Sequence, residues 1–226
     1  MRALAWNCRG ANSEDSTTMP YIRWLVRKAN PDFVFLSETK CLASVLSAKF
    51  IRIGCKGFTG VDALNLSGGL FVTWFSSNMV VKTEECTKNF VLCNIIDGPY
   101  FYYLCFLYGA PKLENRHELS LRTKKVEAQI IYQEPQKLLS HGPAFTRCNN
   151  REGKDVIYEQ LDRAYCNEQW RSMFPEALVV NYEILASDHG AILLETSPRR
   201  IKRKRPYKIE AWCLDDPQVK EIISQL

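Results

Sequence analysis

Asn7, Glu38, Tyr108 and the pair Asp188-His189 each stand where an apolar run ends or begins. Asn7 closes the run 3–7, Glu38 follows 31–37, Tyr108 follows 100–107, and Asp188-His189 precede 191–195. An amide, a carboxylate, a phenol and an imidazole beside an acid are groups that donate, accept and move protons. Each also has a purely structural reading. Asn7 suits a turn and Glu38 the first turn of a helix. Tyr108 before Gly109 suits a half-buried aromatic, and Asp188 a turn into Gly190. Spacing alone leaves these alternatives open.

The elements that would carry these residues are mostly strands. Residues 3–7 and 31–37 read as strands, the second with the continuous apolar pattern of a buried one. Between them the sequence predicts a helix, with Thr17 or Thr18 as N-cap, Pro20 near the first turn, and Tyr21, Trp24, Leu25 and Val26 roughly at helical spacing. Residues 70–74, 79–83 and 90–96 read as strands, and Asp97-Gly98 predicts a two-residue hairpin turn into 100–107. The stretch 113–139 is polar with apolar residues at roughly helical spacing, interrupted by Pro135. Strand signals return at Phe145, 161–164, 178–185 and 191–195, and a last short helix is expected over 215–226. The expected fold class is α+β, a twisted and mostly antiparallel sheet system in one domain over 1–197. A basic linker and the start of a truncated helix would follow over 198–226.

Composition narrows the function classes. The 226 residues are 46% hydrophobic and 24% charged, which excludes a disordered, collagenous or coiled-coil chain. Thirty Lys and Arg against 25 Asp and Glu give a net charge of +5, which permits a polyanionic partner without requiring one. No apolar run approaches the roughly 20 residues that span a bilayer, so no membrane partner is expected. Residues 1–7 carry no apolar stretch followed by a small-residue cleavage site, so an intracellular protein is expected. The nine cysteines show no CxxC pair and no adjoining histidine cluster, which excludes a structural zinc site. They read as reduced thiols, with Cys93 and Cys105 as small hydrophobes in strands.

The order of short motifs carries more than any one of them. Trp6-Asn7-Cys8-Arg9-Gly10, Ser37-Glu38-Thr39-Lys40, Ser67-Gly68-Gly69-Leu70, Tyr108-Gly109, Leu161-Asp162-Arg163-Ala164 and Ser187-Asp188-His189 occur in that sequence. This series resembles the endonuclease/exonuclease/phosphatase superfamily, the DNase I-like proteins. It is most similar to the endonuclease domain of plant non-LTR (LINE-type) retrotransposons, a likeness shared by Phe174-Pro175 and Lys204-Arg205-Pro206-Tyr207 and covering residues 3–215. The resemblance implies a four-layer α/β/β/α sandwich with helices on both outer faces and a divalent-metal phosphodiesterase site at one edge. By that likeness Glu38 would hold Mg²⁺ or Mn²⁺, with Asp188 near the metal and the attacking water. A carboxylate suits such a hard cation, which takes oxygen ligands and keeps several waters. Asn7 would hold a ligand or phosphate through its amide, and Tyr108 would approach the phosphate through its hydroxyl. His189, oriented by Asp162, would pair with a phosphate oxygen.

The pattern has a gap. The superfamily places a Gly-Asp-Phe-Asn-type motif between its Tyr-Gly and Leu-Asp-Arg elements, and this sequence contains none. Between Tyr108 and Asp162 the only other aspartate is Asp155, in a turn-like stretch with no asparagine two positions on. A deletion around 113–127 is the economical account, and it would leave the sandwich without a central strand. Arg147 is a second departure, standing where the plant elements usually have tryptophan. A charge there would cost several kcal/mol if buried, and little if its long stem reaches solvent.

These readings point to a retrotransposon-derived phosphodiesterase-like protein impaired in catalysis. An active DNA-nicking endonuclease is the alternative, and a lipid or inositol phosphatase of the same superfamily fits the plant-type motifs less well. DNA is the expected partner. The cluster Arg199, Arg200, Lys202, Arg203, Lys204 and Arg205 reads as a weak phosphate-contact patch or a nuclear localisation signal, against the plain reading of a solvated connector.

Overall fold

A computed structural model describes residues 1–11, 17–64, 67–109, 135–151 and 153–198. The described residues form fourteen strands, three α-helices and one short 3-10 helix. The longer strands are β1 (Arg2–Asn7), β2 (Phe33–Ser37), β3 (Gly57–Val61), β4 (Leu70–Trp74), β5 (Met79–Cys86), β6 (Phe90–Asp97), β7 (Tyr100–Leu107), β13 (Leu178–Ile184) and β14 (Gly190–Glu195). Five two-residue strands lie between β7 and β13: β8 (Gln136–Lys137), β9 (Ser140–His141), β10 (Arg147–Cys148), β11 (Tyr158–Glu159) and β12 (Tyr165–Cys166). The helices are α1 (Thr18–Ala29), α2 (Ala43–Ile51) and α3 (Glu168–Met173).

A seven-stranded sheet, in the order β3-β4-β2-β1-β14-β13-β9, is mixed because β1 and β2 run parallel while β14 is antiparallel to β1. A second, antiparallel sheet is β5-β6-β7. All five residues of β2 are buried, as expected for a central strand covered on both faces. Phe33 and Phe35 point between the sheets, where they join Val91, Ile95, Tyr102 and Phe106. Val34 and Leu36 point the other way, against a layer built by Ile22 and Leu25 of α1 and by Leu46 and Phe50 of α2. Alternation at period two thus divides one strand between two cores.

Several expectations shift in detail. Helix α1 starts after Thr17, whose side chain makes no capping bond, and it stops at Asn30 in a left-handed conformation. Its buried stripe is Met19, Ile22, Leu25 and Ala29, whereas Trp24 lies exposed, stacked on Tyr21 with Lys28 over its ring. The hairpin turn falls one residue later than expected. Asp97 pairs with Tyr100, and Gly98, at φ 58°, provides the left-handed position that primed turns need. Phe145 and residues 161–164 are not strands; the short strands here pair as β10–β11 and β8–β12, while β9 joins β13 at the edge of the large sheet. The Thr146 hydroxyl accepts hydrogen bonds from the backbone N–H groups of both Leu161 and Asp162, which withdraws them from any ladder.

Helices cover the outer face of the seven-stranded sheet. On the outer face of β5-β6-β7, Val80, Ile96, Phe101, Tyr103 and Leu107 are exposed. Three layers of the four-layer sandwich are therefore formed by the described residues. The stretch 113–127, the basic cluster and the helix expected over 215–226 lie outside them.

Candidate functional site

The sheet topology gathers the candidate residues at one edge. Asn7 is in register with Ser37 on the parallel neighbour, so Asn7 and Glu38 leave their strands side by side. Because β14 is antiparallel to β1 and starts at Gly190, Asp188 and His189 enter at that same edge. Tyr108 follows β7 in the other sheet, and its hydroxyl crosses the gap to donate to Glu38 Oε1 at 2.7 Å. The backbone after Leu107 is held for this by Tyr108 N–H on Asn89 O at 2.7 Å and Asn89 Nδ2 on Tyr108 O at 3.3 Å.

The turns that carry Glu38 and Arg9 are strained. Both residues are left-handed, at φ 52° and 49°, in a region that side chains other than glycine rarely enter. Neighbouring backbone holds them there: Cys8 N–H bonds Ser37 O at 3.1 Å, Thr39 N–H bonds Gly69 O at 3.2 Å, and Lys40 N–H bonds Gly68 O at 3.0 Å. Gly69 is required at its position, with φ 89° and a site where any Cβ would strike Thr39 Oγ1.

Charge is concentrated around two carboxylates. Arg9 Nη1 lies 2.8 Å from Asp188 Oδ2, and Arg9 Nε lies 3.9 Å from Glu38 Oε2. Arg147 adds a second guanidinium, 3.8 Å from Asp188 Oδ2 through Nε and 2.8 Å from Glu159 Oε2 through Nη1. Asp188 is buried, so these cations and the Ser187 hydroxyl at 3.3 Å provide its compensation. Burial and the adjoining Glu38 carboxylate push the Tyr108 phenol well above its usual range, against the pull of Arg9. The phenol therefore stays protonated as a donor. Cys8, packed between Asn7 and Arg9, is pushed up to about 12 by burial and is not a thiolate at neutral pH.

His189 is set by a separate group. Its Nδ1 lies 2.9 Å from Asp162 Oδ2, which leaves Nε2 as the nitrogen available to a substrate. Asp162 is placed by the Thr146 hydroxyl, 2.9 Å from its backbone N–H, and Thr146 O accepts from Gly190 N–H at 2.7 Å. Trp6 Nε1 donates to His189 O at 2.9 Å, and Ser187 Oγ donates to Asn7 O at 2.8 Å. These bonds tie the Asp188-His189 turn to β1.

No protein-family model matches the sequence, and neither does any curated protein. Solved structures do match. The endonuclease domain of TRAS1, a telomere-specific non-LTR retrotransposon, aligns with a TM-score of 0.59 at 15% identity, over 88% of this chain and 99% of that one. Truncated TDP2 from Caenorhabditis elegans aligns at 0.59 and 14% identity, over 85% and 96%. The 3'-5' exonuclease NExo from Neisseria meningitidis aligns at 0.61 and 11% identity, over 86% and 99%. The chain has the DNase I-like fold. At these identities the likeness speaks for the fold alone.

Within this DNase I-like frame, the residues at the edge suit a hard divalent cation in kind. Glu38 supplies a carboxylate, and Asn7, 8% exposed, keeps its Oδ1 buried without a hydrogen-bond partner among the described residues. One or two carboxylates with added oxygen donors and retained waters is the usual holding of Mg²⁺. Among the described residues no group of three or more His, Cys, Asp and Glu side chains forms a metal cluster. The Arg9 guanidinium lies beside both Glu38 and Asp188.

The structure brings Glu38 to Tyr108 and Asp162 to His189, and it links Asp188 to Glu38 through Arg9. Arg199, Arg200, Lys202, Arg203, Lys204 and Arg205 lie outside the described residues. Arg9, Thr146 and Arg147 were not singled out for these contacts by sequence reasoning. Arg9 falls inside the Asn7 motif and Thr146 beside a strand-like Phe145, but nothing in their spacing signals the partners they find. Arg147 is one-third exposed and doubly paired, so the charge at a position expected to be tryptophan is compensated. Asp155 is exposed at the end of a short 3-10 helix (Gly153–Asp155), where its carbonyl accepts from Asn149 Nδ2 at 2.8 Å.

Proposed function

We propose that this chain is a retrotransposon-derived, nuclease-like phosphodiesterase protein that engages DNA but is impaired in cutting it. The observation that carries this reading is the convergence of the Tyr108–Glu38 and Asp162–His189 pairs on one edge of a DNase I-like sandwich. In this reading Tyr108 orients Glu38, and Asp162 holds the His189 ring so that Nε2 meets a non-bridging phosphate oxygen. Mg²⁺ or Mn²⁺, when bound by Glu38 and Asn7, would neutralise charge on the scissile phosphate. Impairment follows from the sequence, which has no Gly-Asp-x-Asn motif. Loss of members of a catalytic unit commonly lowers rates by about 10³-fold or more.

Two neighbours support DNA as the partner. TDP2 from D. rerio is known complexed with single-strand DNA product, and NExo bound to a product DNA hairpin. In the proposal the basic cluster 199–205 adds sequence-independent phosphate contacts and directs the chain to the nucleus. The test is fluorescence anisotropy of a labelled DNA duplex titrated with the full chain at low and moderate salt. Binding that weakens with salt, weakens in His189→Ala, and is competed by unlabelled DNA better than by an inositol phosphate is expected. Preferential displacement by the inositol phosphate would favour the phosphatase reading, and an absence of low-salt binding would refute the proposal.

A further inference from the structure

We infer that Arg9 is a built-in counter-cation, which a divalent metal must displace before it can bind at Glu38. This rests on the reading of Glu38 as the metal-holding carboxylate. One guanidinium spans both acids, through Nη1 at 2.8 Å from Asp188 and Nε at 3.9 Å from Glu38. The backbone is committed to that placement, since Arg9 is left-handed at φ 49° and Gly10 follows at φ 126°. Charge balance gives the reason for competition. Three carboxylates, Glu38, Asp188 and Glu159, face two guanidiniums, Arg9 and Arg147, leaving a single net negative charge. A divalent cation added to that set makes it net positive unless Arg9 withdraws. Withdrawal is open to it, because the Arg9 side chain is 53% exposed and its guanidinium can be hydrated outside the cluster. Asn7 Oδ1, buried at the same edge and unpartnered among the described residues, is an oxygen donor that an arginine contact does not use.

The consequence is weak metal affinity in the intact chain, which tightens when Arg9 is neutralised. Mn²⁺ binding is measured by calorimetry and by loss of the free-ion electron paramagnetic resonance signal, on the full chain, Arg9→Met, and Arg9→Met combined with Glu38→Gln. Arg9→Met keeps the stem and removes the charge. Two partly exposed ion pairs correspond to roughly a three- to tenfold gain in Mn²⁺ affinity. The double variant is expected to lose that gain. Unchanged or weaker Mn²⁺ binding in Arg9→Met with native circular dichroism overturns the inference, as does a gain that survives Glu38→Gln. If Arg9→Met does not fold, Arg9→Lys, which keeps the charge but loses the two-pronged reach, must tighten binding, and unchanged affinity overturns the inference. Since only binding is read, a chain that cuts nothing can still satisfy it, and a cutting chain can still fail it.

Discussion

Asp162 and His189 lie 27 residues apart in sequence and 2.9 Å apart through Oδ2 and Nδ1. The carboxylate fixes which ring nitrogen is committed and which is left for a substrate. In ¹⁵N NMR at a pH where the ring is neutral, His189 is expected as the Nδ1–H tautomer. Asp162→Ala should shift the ring toward the Nε2–H form that free imidazole prefers. An unchanged tautomer in Asp162→Ala would show that this pair does not orient the ring.

Thr146 is the joint that holds the pair together. Its fully buried hydroxyl accepts from Leu161 and Asp162 N–H at 3.0 and 2.9 Å. Thr146→Val keeps the shape and strands both donors, at a cost of about 2–4 kcal/mol. Thr146→Ser should lose well under half of that. Urea denaturation at 25 °C measures both, and equal losses would show that the methyl group, rather than the hydroxyl, is what matters.

Tyr108 makes a pH-dependent contribution. Its phenol has a raised pKa in the folded chain, so the stability it adds is complete below about 10, where the unfolded phenol is also neutral. Above that, the unfolded chain loses the proton first and the advantage fades. Tyr108→Phe is therefore expected to melt lower than the parent by a constant margin from pH 6 to 9, corresponding to about 1 kcal/mol. That margin should shrink above pH 10. A margin that grows at alkaline pH would contradict the donor role.

Gly68 and Gly69 make a paired test of the turn that braces Glu38. Both are left-handed, at φ 72° and 89°, but only at Gly69 would a Cβ meet Thr39 and Ala63. Gly68→Ala should cost about 1 kcal/mol from backbone strain, and Gly69→Ala clearly more. Thermal melts compare the two, and equal shifts would mean that the close approach carries no weight.

Periodicity made the long strands readable, because β2, β4, β6, β7, β13 and β14 are driven by dense apolar runs. Helix α2 and strand β3 had no comparable signal. The N-cap of α2 is Leu42, which has no capping side chain, and the bond to Ala43 N–H comes instead from Asp62, 19 residues on; β3, at a sheet edge, has no fully buried residue. The strand-end positions of Asn7, Glu38, Tyr108 and His189 were visible because topology sends strand ends to one edge. Arg9 and Thr146 act through geometry that spacing does not encode: one long side chain reaching across from β1 to Asp188, and one hydroxyl replacing ladder bonds. Arg147 looked like a burial problem, and its partners Glu159 and Asp188 come from segments that only the folded chain brings near.

On the proposed reading, the DNase I-like fold assembles its paired residues but is impaired in cutting DNA. Nicking of supercoiled plasmid with Mg²⁺, with EDTA, Glu38→Ala and His189→Ala as controls and circular dichroism on the same preparation, tests it most directly. The expected result is a folded protein whose nicking does not rise above that of Glu38→Ala. Metal-dependent nicking that disappears in both variants would contradict it and make the chain an active endonuclease.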